Sequence, residues 1–191
     1  MELEASQTHI HQQLVEKAAK GDSRAQTELY RLYSRAMYNT AYRMLQNPST
    51  AEDVMQESFI QAFQALERFN FDSTFGYWLK KIVINRSLNQ LRREKLIKEK
   101  EEDYSFEQEQ EHGGEDWSAK YSIDDIKAAA NQLAKNHKMV FDLYMIEGYD
   151  HEEIAEIMNI SASTSRSQLS RAKRNLKEIL INQFEKSNVR S

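Results

Sequence analysis

Residues 150–177, DHEEIAEIMNISASTSRSQLSRAKRNLK, predict two helices joined by a tight turn. Asp150 and Glu153 have the spacing of a capping box, which satisfies free N–H groups at the start of a helix. Asn159 tolerates the left-handed backbone conformation that a sharp helix end requires. The stretch therefore has the pattern of a helix-turn-helix.

The second helix of this pair begins after a serine cap, Ser161 or Ser163, and is rich in cations. Its basic residues are Arg166, Arg171, Lys173, Arg174 and Lys177. Such a helix can lie in the major groove of DNA, with its N-terminal residues on base edges and its cations on phosphates. The alternative interpretation is an ordinary helical hairpin with a solvated charged face.

The composition of the 191-residue chain favours an all-α fold. It contains one proline and five glycines, too few for a fold rich in turns, and it shows no alternating strand pattern. The absence of cysteine excludes disulfide bonds and thiolate metal sites. Because the N-terminus is polar and no apolar run reaches the length of a transmembrane helix, we expect a cytoplasmic protein.

The net charge of −4 is unusual for a protein that binds DNA, but the charges are segregated along the chain. Acidic residues crowd into positions 99–116, whereas bases gather at 80–100 and 166–177. The overall charge therefore does not exclude local nucleic-acid binding.

Four helices are predicted in the N-terminal half. They cover residues 8–20, 23–46, 50–68 and 77–98. Asp22 is placed to cap the second helix, and Ser49 with Glu52 has the spacing of a capping box for the third. Leu32 and Ala36 are among the residues that the periodicity predicts to face inward on the second helix.

The helix over 77–98 carries polar and aromatic residues along one face. These are Trp78, Lys81, Asn85, Asn89 and Arg92. Amides can hydrogen-bond base edges, cations can contact phosphates, and an indole can stack on a base. Trp78 is equally compatible with a core position, and the two asparagines with an ordinary surface.

The loop before this helix, residues 69–76, reads FNFDSTFG. Its aromatic and small polar residues suit a pocket for an unstacked base, although Phe69 and Phe75 are expected in the core. The preceding helix has a polar face that fits either solvent or a basic partner. That face comprises Glu52, Asp53, Gln56, Glu57 and Gln61.

The stretch between the two halves lacks periodicity, contains Gly113 and Gly114, and is interpreted as a flexible acidic linker. Further helices are predicted near residues 123–134, 137–147, 151–158 and 162–184, with Gly148 as a C-cap. We therefore expect two small helical domains, at 8–98 and 122–185, joined by a linker at 99–121.

Several motifs resemble one family in their order and spacing. They are AEDVMQESF (51–59), WLKKIVIN (78–85), LRR (91–93), EEIAEIMNIS (152–161) and SRAK (170–173). The chain resembles bacterial RNA polymerase sigma factors of the extracytoplasmic-function group, the sigma-70 class reduced to regions 2 and 4. Residues 163–173 are similar to versions found in Bacteroidetes members.

This resemblance implies a transcription initiation factor with three binding surfaces. Core polymerase would be bound through the β′ clamp helices by Asp53, Gln56, Glu57 and Phe59. The −10 promoter element would be bound by Phe71, Ser73, Trp78, Lys81, Asn85, Asn89 and Arg92. The −35 element would be bound by Ser163, Thr164, Arg166, Ser167, Arg171 and Lys173. The resemblance also implies contact with the polymerase β flap, a linker that runs toward the active-site cleft, and an anti-sigma partner.

The chain departs from the common family pattern at two places. Leu133-Ala134 stands where many members have Leu-Pro, and Ser163-Thr164-Ser165 stands where many have Gly-Thr-Val. Ser165 replaces a β-branched apolar residue, so we expect slightly looser packing there or a hydroxyl turned toward DNA.

An enzyme is disfavoured, since no glycine-rich phosphate loop, nucleophile elbow or HExxH motif occurs and the five histidines lack a metal-ligand spacing. We therefore expect neither a cofactor nor a metal. Two alternatives remain at this stage. One is a stand-alone helix-turn-helix regulator, and the other is a helical adaptor that no longer binds DNA.

Overall fold

The computed structural model describes residues 11–98 and 121–188, with side chains described over 11–93 and 121–183. Within these ranges all regular secondary structure is helical, which confirms the all-α prediction. The chain divides into two compact units, Met1–Glu102 and Asp103–Ser191. The predicted acidic linker lies outside the described residues except for Tyr121.

The first unit contains four described helices. They are α1 (Gln12–Ala19), α2 (Ser23–Leu45), α3 (Pro48–Ala65) and α4 (Phe75–Lys98). A short 3-10 turn, Leu66–Arg68, continues α3. The loop over 69–74 then leads into α4, which begins two residues before the predicted start.

Two helix starts in this unit were predicted from capping patterns, and one of them was wrong. Asp22 caps α2 as predicted, because its Oδ1 accepts from the N–H of Arg24 at 2.9 Å. The capping box at Ser49 does not form. Asn47 caps α3 instead, accepting from the N–H of Thr50 at 3.0 Å, and Pro48 occupies the first turn, where its fixed φ suits a helix start.

The core of the first unit lies among α2, α3 and α4. Its fully buried residues include Leu29, Ala41, Ala62, Leu79 and Val83. The prediction that Leu32 and Ala36 face inward was wrong, since Leu32 is 46% exposed and Ala36 is also exposed. The core residues Ala25, Leu29, Met37 and Ala41 lie four or eight residues apart, so the buried row winds around α2 and leaves Leu32 and Ala36 in solvent.

The start of α4 packs closely against α2 at Gly76. A Cβ atom added to this glycine would lie 2.8 Å from Cε1 of Tyr33. Tyr33 is half-buried, and this burial raises the pKa of its phenol. Gly76 therefore lets the N-terminal turn of α4 approach the aromatic ring, which fixes where the helix emerges from the core.

The second unit contains four α-helices in its described part. They are α5 (Ile123–Ala130), α6 (Lys135–Phe141), α7 (His151–Met158) and α8 (Ala162–Asn188). A π-helical turn, Asp142–Ile146, continues α6. Gly148 follows with a φ of 79°, and the N–H of Tyr149 donates to the carbonyl of Leu143 at 3.0 Å. The turn thus ends near Gly148, as predicted, in a left-handed conformation that favours glycine.

The core of the second unit is formed where α6 and α7 pack on α8. Val140, Ile154 and Ala172 are fully buried there. Lys138 and Asp142 form an ion pair at the junction of α6 and the π turn, with side chains only 12% and 5% exposed. No helix in the described parts of the chain is both long and apolar enough to span a bilayer.

Candidate functional surfaces

The helix-turn-helix predicted at 150–177 is present in the second unit. The N–H of Glu153 donates to Asp150 Oδ1 at 2.8 Å, and the N–H of Asp150 donates to Glu153 Oε2 at 3.1 Å. Asn159 has φ 57° and ψ 51°, the predicted left-handed conformation. The capping box sets the start of α7, and Asn159 sets its end and the direction in which α8 begins.

Ser161 is the cap of α8, which resolves the choice between Ser161 and Ser163. The N–H of Thr164 donates to Ser161 Oγ at 3.0 Å. The hydroxyls of Ser163 and Thr164 also lie 2.8 and 2.7 Å from Ser161 Oγ. Three hydroxyls therefore cluster at the N-terminal end of α8, and Ser163 is exposed.

Ser165 does not turn its hydroxyl toward the outer face of α8. The residue is fully buried, and its Oγ lies 2.9 Å from His151 Nδ1 on α7. The expectation of a hydroxyl directed at DNA was therefore wrong. The bond joins the two helices of the motif at a position where an apolar side chain would only pack.

The predicted −35 contacts all lie along α8 but differ in accessibility. Ser163 and Arg166 are exposed, whereas Thr164, Ser167, Arg171 and Lys173 are half-buried. Arg166 Nη1 lies 3.5 Å from Glu152 Oε1 on α7, and both side chains remain accessible at 44% and 72%. Ser167 Oγ donates to the carbonyl of Thr164 at 3.0 Å.

Sequence reasoning missed an aromatic ring next to this helix. Tyr144, in the π turn, stacks on His151 with 4.7 Å between ring centroids. Lys173 Nζ lies 5.9 Å from the centroid of the same tyrosine ring, within reach of a cation–π attraction. Tyr144 thus contacts both the first helix of the motif and a predicted DNA-binding cation. Nothing in the local pattern around Tyr144 indicated this role.

His137 on α6 is influenced by the cations of α8. Burial lowers the pKa of its imidazole, and the charges of Arg171 and Arg174 lower it further. Its Nδ1 is buried and makes no hydrogen bond within the described residues. The cations of α8 therefore lower the pKa of a half-buried histidine, in addition to charging the surface of the unit.

In the first unit, the amide stripe consists of Lys81, Asn85, Asn89 and Arg92 on α4. All four residues are exposed. Arg92 Nη1 donates to Asn89 Oδ1 at 3.3 Å, and Lys81 Nζ lies 4.9 Å from the centroid of the Tyr77 ring. The stripe thus presents two amides flanked by cations along one helix face.

Trp78 lies at the edge of the core, below the amide stripe. Its ring centroid is 5.0 Å from that of Phe69 and 5.9 Å from that of Phe75. The structure confirms that Phe69 and Phe75 are core residues, with 7% and 2% exposure. Trp78 remains half-buried, so part of the indole is accessible.

The loop before α4 holds Phe71 in an uncommon conformation. Its φ is 62°, which costs a non-glycine residue free energy and persists only when the surroundings enforce it. The ring is half-buried and lies 4.8 Å from the Phe69 centroid. Ser73 is also half-buried. The loop therefore packs on an aromatic cluster that consists of Phe69, Phe71, Phe75 and Trp78.

The acidic face consists of Asp53, Gln56 and Glu57 on α3, all exposed. Phe59, the fourth residue of the predicted polymerase-binding set, is 2% exposed and packs on Tyr30 at 4.8 Å between centroids. Because its ring is inside the core, it supports the face from beneath and does not offer a contact surface. Ile60 is 58% exposed next to it and was not predicted.

Arg86 on α4 contacts the acidic face and was also missed. Its Nη1 donates to Gln61 Oε1 at 3.0 Å, and its Nη2 forms an ion pair with the carboxylate of Glu57.

Among the described residues, no group of three or more His, Cys, Asp or Glu side chains is arranged to hold a metal ion.

Comparisons with known proteins point to one family for both units. The family model described as Sigma-70 region 2 matches residues 29–97, and the model described as Sigma-70, region 4 matches residues 123–176. The RNA polymerase sigma-H factor of Pseudomonas aeruginosa is 34% identical over 173 residues, covering 85% of this chain and 89% of that protein. The ECF RNA polymerase sigma-E factor of Escherichia coli is 30% identical over 172 residues, covering 85% and 90%.

Two solved structures share the fold at lower identity. Sigma factor RpoE from Bartonella quintana, crystallised with the anti-sigma factor NepR, has a TM-score of 0.55 at 23% identity over 81% of this chain and 95% of that one. CnrH, in complex with the cytosolic domain of CnrY, has a TM-score of 0.54 at 22% identity over 88% and 96%.

Proposed function

Because the chain belongs to the extracytoplasmic-function group of sigma-70 factors and is a transcription initiation factor, we propose that its two helical units divide the promoter between them. The unit predicted over 8–98 binds core polymerase and the −10 element. The unit predicted over 122–185 binds the −35 element. The observation that carries this proposal is the exposed, cation-bearing helix that each unit holds on its surface.

In the second unit, α8 is the recognition helix. Ser163 and Thr164 stand at its N-terminal end, which in this class of motif meets base edges. Arg166, Arg171 and Lys173 supply positive charge for phosphates, and such contacts fix the register of the helix on the duplex. Ser167 lies on the same helix, within one turn of Thr164. Ser165 is left out of the interface because it is buried.

In the first unit, the amide stripe binds the −10 region. Asn85 and Asn89 can hydrogen-bond base edges, while Lys81 and Arg92 neutralise phosphates. Trp78 offers the accessible part of its indole to a base. Melting requires no catalytic group, because a site that binds unstacked bases better than the duplex offsets the cost of opening.

The loop before α4 provides the pocket for an extruded −10 base. Phe71 and Ser73 lie in this loop and are both half-buried. An aromatic ring and a hydroxyl are therefore both partly accessible to a base. The strained backbone at Phe71 supports this assignment, since such conformations cluster at ligand-binding sites. A base stacked near Phe71 would extend the aromatic cluster that includes Phe69.

Core polymerase docks on the acidic face through the β′ clamp helices. Asp53 and Glu57 present carboxylates to a cationic partner, Gln56 adds a polar contact, and Phe59 supports them from the core. The second unit meets the β flap. Exposed apolar residues in its π turn, Met145 at 52% and Ile146 at 46%, support a protein contact there.

The remaining proposals follow from the sigma function. The acidic linker at 99–121 runs toward the polymerase active-site cleft, and an anti-sigma factor covers the promoter-binding surfaces. The complex of the Bartonella quintana sigma factor with the anti-sigma factor NepR supports a partner of this kind. The protein acts beside polymerase in the cytoplasm, without catalysis, cofactor or metal of its own. A stand-alone regulator is not favoured, since both units match sigma regions.

Run-off transcription with core polymerase on a randomised promoter library tests the proposal. Transcripts that depend on this protein should share two elements at a fixed spacing. Co-elution with core polymerase should accompany them. Transcripts that share only one element, or none, would contradict the division of the promoter between the two units.

A further inference from the structure

Arg86 connects the two functional helices of the first unit. Its guanidinium forms an ion pair with Glu57 and donates to Gln61 Oε1 at 3.0 Å. Glu57 and Gln61 lie four residues apart, hence on the same side of α3. The planar guanidinium presents several donors in a fixed fork, so one arginine bridges both acceptors.

The ion pair between Arg86 and Glu57 is accessible to solvent, so another charged group can replace either partner. The side chain of Glu57 is 58% exposed, and that of Arg86 is 33% exposed. Ion pairs this accessible are weak and compete with other charges. A cation brought by a binding partner can therefore replace Arg86 on Glu57 without unfolding the unit.

Arg86 also borders the amide stripe. It follows Asn85 directly and precedes Asn89 by three residues, a spacing that makes neighbours on a helix surface. Asn89 in turn accepts from Arg92 at 3.3 Å. A guanidinium released from Glu57 would therefore lie beside the amide and the cation proposed to contact the −10 strand.

We propose that Arg86 is transferred from Glu57 to the promoter strand when core polymerase docks on the acidic face. This inference rests on the surfaces assigned under the proposed function. In the free protein, Arg86 neutralises a carboxylate that polymerase needs. In the complex, a polymerase cation takes that carboxylate, and Arg86 gains a phosphate, to which arginine binds strongly through paired N–H groups.

The transfer predicts opposite effects of one substitution on two binding steps. Arg86→Gln removes the competitor on Glu57, so the free protein should bind core polymerase about two- to fivefold more tightly, the range expected for an exposed ion pair. The holoenzyme should bind −10 single strands more weakly. The salt dependence of that binding should lose about 0.7 units of slope, equivalent to one phosphate contact.

Arg93→Gln is the matched control, because Arg93 is exposed on the same side of α4 seven residues further on. It removes the same charge without touching the contact with Glu57. Dissociation constants for core polymerase would be measured by fluorescence anisotropy at low salt. A thermal melt of each variant checks that the unit stays folded.

A second comparison separates competition from general charge. In a Glu57→Gln background, Arg86→Gln should bring no further gain in core affinity, because the pair is already broken. Equal gains from Arg86→Gln and Arg93→Gln, or an Arg86→Gln holoenzyme with unchanged affinity for −10 strands, would overturn the transfer. The wild-type protein separates the two levels of inference. If it fails to bind core polymerase, the proposed function falls and the transfer falls with it.

Discussion

The bond between Ser165 and His151 leads to a quantitative prediction about the helix-turn-helix. Ser165 is fully buried, and its Oγ lies 2.9 Å from His151 Nδ1. Ser165→Ala removes one hydrogen bond, worth about 1 kcal/mol net. It also removes the Ser165 hydroxyl from the imidazole nitrogen, at a cost of up to about 1 kcal/mol because His151 is only half-buried.

The expected loss is therefore about 1–2 kcal/mol of unfolding free energy for the second unit. For a domain of this size, each kcal/mol lowers the melting temperature by roughly 4–8 °C. Differential scanning calorimetry of the full chain should show one transition that moves down while the transition of the first unit stays in place. Ser165→Thr keeps a hydroxyl at the position and should restore most of the loss.

A double-mutant cycle with His151→Ala isolates the bond from other effects. The coupling free energy between the two positions should be about 1 kcal/mol, since the residues are in direct contact. A Ser165→Ala protein that melts within a degree of wild type, or a cycle with no coupling, would show that Ser165 does no more than fill space.

Three further predictions concern the proposed surfaces and the buried histidine. Arg171→Ala should weaken −35 duplex binding and reduce its salt slope by about 0.9, and an unchanged slope would exclude a phosphate contact. Asn85→Ala should slow open-complex formation about tenfold while core binding stays normal, as stopped-flow fluorescence can measure, and a loss of core binding would refute the assignment of that face. The depressed pKa of His137 means that the folded unit resists protonation, so its stability should fall as pH drops below about 6.5. His137→Gln should flatten this dependence in denaturant titrations, and a persistent dependence would point to another group.

The features that could be predicted from the sequence are those decided by neighbouring residues. A capping box needs only Asp150 and Glu153, and a left-handed helix end needs only the tolerance of Asn159, so both follow from the local pattern. The cap of α3 shows the limit of this reasoning. Ser49 and Glu52 have the right spacing, but Asn47 with Pro48 offers a better start two residues earlier.

The features that could not be predicted depend on which elements pack together. Leu32 satisfies the helical period but lies on a side of α2 that none of the described elements covers closely, as its 46% exposure shows. The ion pair between Arg86 and Glu57 joins residues 29 positions apart, so the periodicity along either helix does not predict it. The partner of Ser165 is likewise 14 positions away.

In the described residues, each proposed DNA-binding helix combines buried contacts with an accessible ion pair. In the first unit, the aromatic packing of Trp78 fixes the start of α4, while the accessible ion pair of Arg86 can be replaced. In the second, the buried bond of Ser165 fixes α8, while Arg166 and Glu152 are 3.5 Å apart with both side chains accessible. An accessible pair contributes little to stability, so giving it up for a phosphate costs the fold little. In the proposed transfer, the buried contacts keep α4 in place while Arg86 changes partners.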